Sequence, residues 1–515
     1  MHMITVFSYT FCRILNVGLM FVKDRLDLET AIGYRTSASA VLIAKDQVAK
    51  EQLLPSHELN FTIRFDECDA RLGIGMSTEL IRDENVDVII GPTCASTAYI
   101  AAVNAVYYNI PLFAWGLSTS YALSDIARYP TIGVLSVTSY SLGVAIHSVL
   151  LSFGWKQIAF LYSNEDEIQK CSILKNDIQI RLDACTKSGF THSNGKIEIN
   201  VLVKRPPTYE RSSVLLYIDA FSDMNEIIIA IVVEIKKMKL EDITQALDGG
   251  FKRTFILAAK DAGFLNAEYV YIFADTNAKG FHVPLLGGKD RLVWEDTNTP
   301  KDNRDAEAMI AFAQTLFISD NMGSGKVAED YEAFNKAVIS RMKDPPFNCV
   351  DDCKGTNYSY AAAYAGQLFD SVYVYARALN STLRKDATAF RNGTTIIENI
   401  VMTFDGMSGV VKMGKDGIRY PFFYFDGVGE SGEQVLLGTI SVEDRQGLYK
   451  PLYTSEKEIW WARGGVRPRD VPLCGYAGDK CPKNFVKENV AAIVVIAVAI
   501  ALVIFAAIFS TCYVF

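Results

Sequence analysis

The chain has 515 residues, half of them hydrophobic and 21% charged, with a formal net charge of -8. That balance excludes a disordered chain and leaves no basic field for nucleic acid. The length is too great for a single core and predicts two lobes or domains.

The N-terminal MHMITVFSYTFCR holds a short apolar run without a basic leader or a cleavage site. Residues 1–13 are therefore read as the remainder of a signal peptide, inferred from the compartment argued below. ILNVGLMFV (14–22) predicts a strand, and ETAIGYRTSASAVLIAKDQVAKE predicts the helix after it. FTIRF (61–65), VDVII (86–90), PLFAW (111–115), IAFLY (158–162), IIIAIVV (227–233) and YVYIFA (269–274) continue the strand series. Helical stretches fall between them over Ala70 to Arg82, Ser96 to Tyr107, Ser139 to Phe153 and Glu165 to Ser188. Apolar strands without alternation, separated by helices, predict parallel sheets covered on both faces, hence an α/β fold with two doubly wound sheets. Further on, 366–380 predicts a helix, and TFDGMSGVVKMGKDGIRYPFFYFDGVG predicts hairpins and turns at the edge of a sheet. The long connection IKKMKLEDITQALDGG (235–250) has no functional reading.

In VDVIIGPTCAS, Thr93 and Cys94 stand where a strand ends and a helix begins. Such a turn either offers backbone N–H groups to a ligand or anion, or is only a strand-to-helix connection, and these residues alone weigh the two equally. The next strand ends in PLFAWGLSTSYALSD. Trp115, Ser118 and Thr119 are candidates for a small polar ligand there, although Trp115 fits a core position and Ser118 a cap equally well. Enzyme signatures are absent: MGSGKV (322–327) lacks the spacing of a phosphate loop, and five scattered histidines form no metal site.

Ten cysteines need a compartment. Acceptor sequons at Asn60, Asn357, Asn380 and Asn392, together with paired-looking cysteines, favour the oxidising extracellular side. Cys68 and Cys94 follow two successive strands and can bridge; Cys349 and Cys353 can close a tight loop, and Cys474 and Cys481 another. A continuous helix would hold Cys171 and Cys185 about 21 Å apart and forbid their mutual pairing. Cys512 reads as an apolar filler in preference to a palmitoylation site. Val490 to Phe509 carries no charge, and at ~1.5 Å per residue spans about 30 Å, the thickness of a bilayer core. The expected basic cytoplasmic flank is missing from STCYVF, which reads as a receptor interrupted just past its membrane segment.

These segments, together with NIPLFAWGLST, FILAAKDAGF, VISRMKDPPFNC, YAGQLFDSVYVYARALN and CGYAGDKCP, resemble in collinear order the receptor-type guanylate cyclases, above all the nematode sensory set. The resemblance implies a type I periplasmic-binding-protein fold over residues 14–455, two lobes around a cleft. A juxtamembrane neck over 456–489, a single transmembrane helix over 490–511 and a short cytoplasmic end over 512–515 would follow. It implies a type I protein of the plasma membrane that contacts lipid, binds an extracellular ligand, and forms a homodimer or a heterodimer with another receptor cyclase. Cys68 with Cys94, and Cys474 with Cys481, match disulfides of natriuretic peptide receptors, and Thr93 and Cys94 match a chloride-binding turn. Thr119 matches a threonine that contacts the amino acid in the glutamate branch, but Ala95 replaces the serine expected there, which argues against an amino-acid ligand. The cyclase domain that converts GTP to cGMP is absent from these residues. The leading expectation is thus the sensory half of a receptor guanylate cyclase; the alternative is a non-catalytic decoy or partner receptor.

Overall fold

The computed structural model describes residues 13–155, most of 157–163 and 173–181, 198–201, 214–215, most of 250–320, 326–468 and scattered positions between 494 and 504. The first lobe is built on a five-stranded sheet of β1 (Arg13–Phe21), β2 (His57–Phe65), β3 (Val88–Ile90), β4 (Leu112–Ala114) and β5 (Ile132–Val134), in the order β2-β1-β3-β4-β5. Every pairing in it is parallel. All three residues of β3, of β4 and of β5 are buried, as expected for strands covered on both faces. The helices Ala70–Thr78 and Ala95–Tyr108 flank this sheet, and the chain returns late to complete it. The 21-residue helix Ala365–Lys385 packs its apolar stripe into the same core as Leu15, Val17, Leu19 and Trp115.

The second lobe holds the helix Ser139–Phe153 and a sheet of different character. Short strands β6 (Gln157–Phe160) and β8 (Glu198–Val201) pair in parallel, and β7 (Tyr162–Ser163) pairs antiparallel with β9 (Val214–Leu215). Its main sheet runs β10 (Tyr271–Asp275), β13 (Thr315–Ser319), β16 (Phe422–Val428), β17 (Gln434–Glu443) and β18 (Gln446–Pro451). Only β10 and β13 pair in parallel; the remaining pairings are antiparallel. A small hairpin, β11 (His282–Pro284) with β12 (Asp290–Leu292), lies beside it, and a second, β14 (Met402–Gly406) with β15 (Gly409–Met413), belongs to the first lobe. Among the described residues three passages join the lobes: 135–139, 418–422, and the step from Ser319 in the second lobe to the helix Lys326–Arg341, whose Phe334 and Val338 pack on the first.

Several expectations change. The helix expected from Glu29 is broken into Glu29–Ile32, Tyr34–Ser37 and Ala40–Lys50. Gly33 breaks it with an extended ψ of 140°, and a Cβ there would fall 2.3 Å from the buried Glu29 carboxyl carbon. The second sheet is mixed, not doubly wound and parallel, because β16 inserts antiparallel beside β13. For the same reason the Gly-rich segment does not lie at an edge: β16 sits in the middle of the order. Strands β5 and β13 were not expected from the sequence. Packing of the second lobe runs on past residue 455, where Ser455 and Glu458 form a capping box and Trp460 is buried against Phe153 and Trp155.

Among the described residues no helix is long and apolar enough to cross a membrane. The predicted span over 490–511 lies largely outside those residues. Within it Val494, Ile496, Val498, Ile500, Leu502 and Ile504 are helical, with side chains more than half exposed. Residues 227–233, Cys171, Cys185, Cys474, Cys481 and Cys512 also lie outside the described residues.

Candidate functional site

The carboxyl ends of β3, β4 and β5 carry three successive loops, and these loops are rich in hydroxyls. Thr93, Ser118, Thr119, Ser120, Ser136 and Thr138 are all at most 2% exposed. Ser118 Oγ donates to the Pro92 carbonyl at 3.0 Å, tying the β4 loop to the β3 loop. Ser139 N–H donates to the Thr119 carbonyl at 2.8 Å and its hydroxyl to Thr119 Oγ1 at 3.3 Å, tying the β4 loop to the start of the second lobe. Thr93 Oγ1 and Ser136 Oγ have no partner among the described residues. A buried hydroxyl left unpaired costs roughly 1–3 kcal/mol, so two of them at one sheet edge mark a place where an additional polar group would be stabilised. Gly91 is required here: its φ is +110°, and a Cβ would stand 2.7 Å from the Met20 carbonyl oxygen.

Trp115 does not line an opening. It is fully buried, edge-on to Phe21 with ring centroids 6.1 Å apart, and its indole nitrogen has no acceptor among the described residues. Cys94 sits at the N-cap of the Ala95–Tyr108 helix and forms a disulfide with Cys68, Cα atoms 5.5 Å apart. Cys349 and Cys353 form the second described disulfide, also packed on the first lobe. Below the first bridge lies Asp66, which sequence reasoning missed. It is fully buried, and Oδ1 accepts from Cys68 N–H at 3.0 Å. Burial pushes its carboxyl up to about 7. Glu29 is likewise buried; it accepts from the Thr36 hydroxyl at 3.0 Å, and burial raises its pKa against the pull of Arg35 at 3.7 Å. An acid directly after an apolar strand and two residues before a cysteine was the available signal for Asp66. Among the described residues no group of three His, Cys, Asp or Glu is placed to hold a metal.

A cavity of about 290 Å³ opens where the lobes meet. Tyr121, two residues beyond Thr119, forms one wall and stacks on Tyr140 with centroids 4.2 Å apart. Thr138 and Ser141 of the second lobe, Lys415 of the turn after β15, Arg419 of the third crossing and Arg445 at the β17–β18 turn also line it. Behind it a buried carboxylate, Asp370, and a buried guanidinium, Arg419, are bridged by the Ser408 hydroxyl. Asp370 accepts from the Met407 and Ser408 N–H groups at 2.9 and 3.0 Å and from the Ser408 hydroxyl. Arg419 donates to that same hydroxyl and to the Ser408 and Val410 carbonyls. Burial raises Asp370 and lowers Arg419. The hinge is therefore fixed by a satisfied network, whereas the sheet edge is not.

Comparison with known proteins bears on this two-lobed arrangement. A profile described as receptor family ligand binding region matches residues 36–424. The chain is 37% identical over 498 residues to the receptor-type guanylate cyclase gcy-7 of Caenorhabditis elegans, covering 96% of this chain and 42% of that protein. The receptor-type guanylate cyclase gcy-20 of the same organism is 37% identical over 489 residues, covering 93% and 41%. The chain belongs to the receptor guanylate cyclase ectodomain family. It spans less than half the length of these relatives. Similar solved structures include a leucine-complexed ABC transporter substrate-binding protein from Desulfitobacterium hafniense, at 13% identity and a TM-score of 0.45 over 85% of this chain and all of that one. In this receptor ectodomain the Cys68–Cys94 pair is bridged as the resemblance implied. Of the five candidate ligand residues, the fold gathers Thr93, Ser118 and Thr119 along one edge with Cys94, and turns Trp115 into the core.

Proposed function

We propose that this chain is the ligand-sensing extracellular and membrane portion of a single-pass receptor guanylate cyclase of the plasma membrane. An extracellular ligand changes the relation of the two lobes and of two protomers, and a cyclase domain elsewhere in the full-length protein responds by converting GTP to cGMP. The observation that carries this reading is the two-lobed receptor fold, crossed three times at a hinge, with the buried hydroxyls of Thr93 and Ser136 at the edge of the first sheet unpaired among the described residues. A ligand drives such a change only if it prefers one arrangement of the lobes. The turn at Thr93 and Cys94, at the start of a 14-residue helix, supports a chloride ion there by resemblance.

The test is a chimera in which the cytoplasmic part of a relative follows residue 511. Stimulus-dependent cGMP production from this chimera is expected. A flat response across a broad panel of soluble stimuli and salts, from a chimera that reaches the cell surface, rejects the reading.

A further inference from the structure

We propose that the cavity at the lobe junction is a binding site for a small, singly charged organic carboxylate. At about 290 Å³ it lies at the lower end of ligand-sized pockets. Its walls come from four separate segments: Tyr121 of the first lobe, the Thr138–Ser141 turn, the stretch from Lys415 to Tyr420 that leads into the third crossing, and the β17–β18 turn at Arg445. A molecule held there touches both lobes and the strand that joins them.

Charge selects the class of ligand. Three cations, Lys415, Arg419 and Arg445, line the cavity against two acids, Asp416 and Asp444. Both acids are engaged: Asp416 accepts from Ile418 N–H at 3.2 Å and Asp444 from the Tyr420 hydroxyl at 2.9 Å. Arg419 is engaged too, by Ser408 and Val410. Lys415 and Arg445 form no ion pair among the described residues, and the Arg445 guanidinium stands 5.7 Å over the Tyr121 ring. Among the described residues no carboxylate stands within ion-pairing distance of either cation, although the Arg445 charge reaches Asp416, so an anion can still be held there by the guanidinium through charge-assisted hydrogen bonds. The neighbouring Asp416 and Asp444 oppose a second negative charge. The Tyr121–Tyr140 stack gives a flat apolar surface for the body of the molecule, and the Thr138 and Ser141 hydroxyls, 2.9 Å apart, supply polar contacts. Only the consequence, a shift in lobe arrangement, rests on the receptor reading; binding itself does not.

Phenylacetate, titrated calorimetrically into the full chain in detergent, is the probe, with phenylacetamide as its uncharged counterpart. Saturable binding of phenylacetate and none of phenylacetamide is expected. Lys415→Ala and Arg445→Ala each weaken it about tenfold, as one charge-assisted contact of this kind is worth, while Arg71→Ala, exposed and outside the cavity lining, leaves it unchanged. Absence of saturable binding, equal binding of the amide, or full affinity in both variants overturns the proposal. Binding with a silent cGMP chimera upholds the site and rejects the receptor reading; a responsive chimera without phenylacetate binding does the reverse.

Discussion

The two lobes are held together by different means. The first is an all-parallel sheet, and it carries both described disulfides and all four glycan-acceptor sequons: Asn60 on β2, Asn357, Asn380 on the Ala365–Lys385 helix, and Asn392. The second is a mixed sheet whose described residues hold no disulfide, and whose core is an aromatic cluster of Phe153, Trp155, Phe425, Tyr449 and Trp460. Covalent bracing on one side and aromatic packing on the other leave the first lobe as a fixed frame. The described part of the second is held by non-covalent packing, and it is the half expected to open first.

The largest expected test of that contrast is pH. Each lobe buries one carboxyl pushed up to about 7, Asp66 in the first and Asp426 in the second, both because burial disfavours the charge. The native state therefore keeps protons that the unfolded chain releases near pH 3.8. Each contribution is complete below that value and is lost as pH rises through about 7, up to about 4 kcal/mol per group. Asp66→Asn and Asp426→Asn should each flatten stability between those limits, read by hydrogen exchange of β1–β4 and of β16–β18. Flattening of one lobe only per variant shows that the lobes open separately. Flattening of both by either variant shows a single cooperative unit and breaks the contrast.

Reduction comes next. Opening Cys68–Cys94, 26 residues apart, should cost about 3 kcal/mol, and opening Cys349–Cys353, 4 apart, about 2. In the Cys68→Ser, Cys94→Ser double variant, exchange over 57–108 should quicken while that over 422–451 does not change. Equal quickening of both segments would show that the bridge supports the whole ectodomain.

What the sequence disclosed follows the same division. Strands β3 and β4 are continuous apolar runs and β1 is one broken only by Asn16 after its first residues, so local pattern suffices, and the helix Ser139–Phe153 is delimited by its Thr138 cap and by Gly154. The mixed sheet was not legible, because β13 acquires its partner β16 from a segment about a hundred positions later, and no local signal records that pairing. Cys68 and Cys94 could be matched because both end strands beside β1. Tyr121, Tyr140, Lys415 and Arg445 could not, since four distant segments meet only in the folded hinge. Trp115 shows the opposite failure, an aromatic at a strand end that the sequence leaves open and packing assigns to the core.

The smallest effect separates a glycan from a cap. Asn392 in the sequon Asn392-Gly393-Thr394 is the N-cap of the Gly393–Glu398 helix, and its Oδ1 accepts from Thr395 N–H at 3.1 Å and from Asn109 Nδ2 at 3.2 Å. Asn109, at φ +52°, accepts in turn from Thr394 N–H and hydroxyl, each at 3.0 Å, so the sequon is knitted to the end of the Ala95–Tyr108 helix. A sugar on Nδ2 leaves Oδ1 free, and the cap survives modification. Asn392→Ala removes both and should cost about 1 kcal/mol in denaturant unfolding. Asn392→Asp keeps the acceptor, removes the glycan site and should cost almost nothing. If the two variants are equally destabilised, the contribution at this position belongs to the glycan, and the bracing of the first lobe extends to its carbohydrate; if only Ala is, the protein supplies it alone.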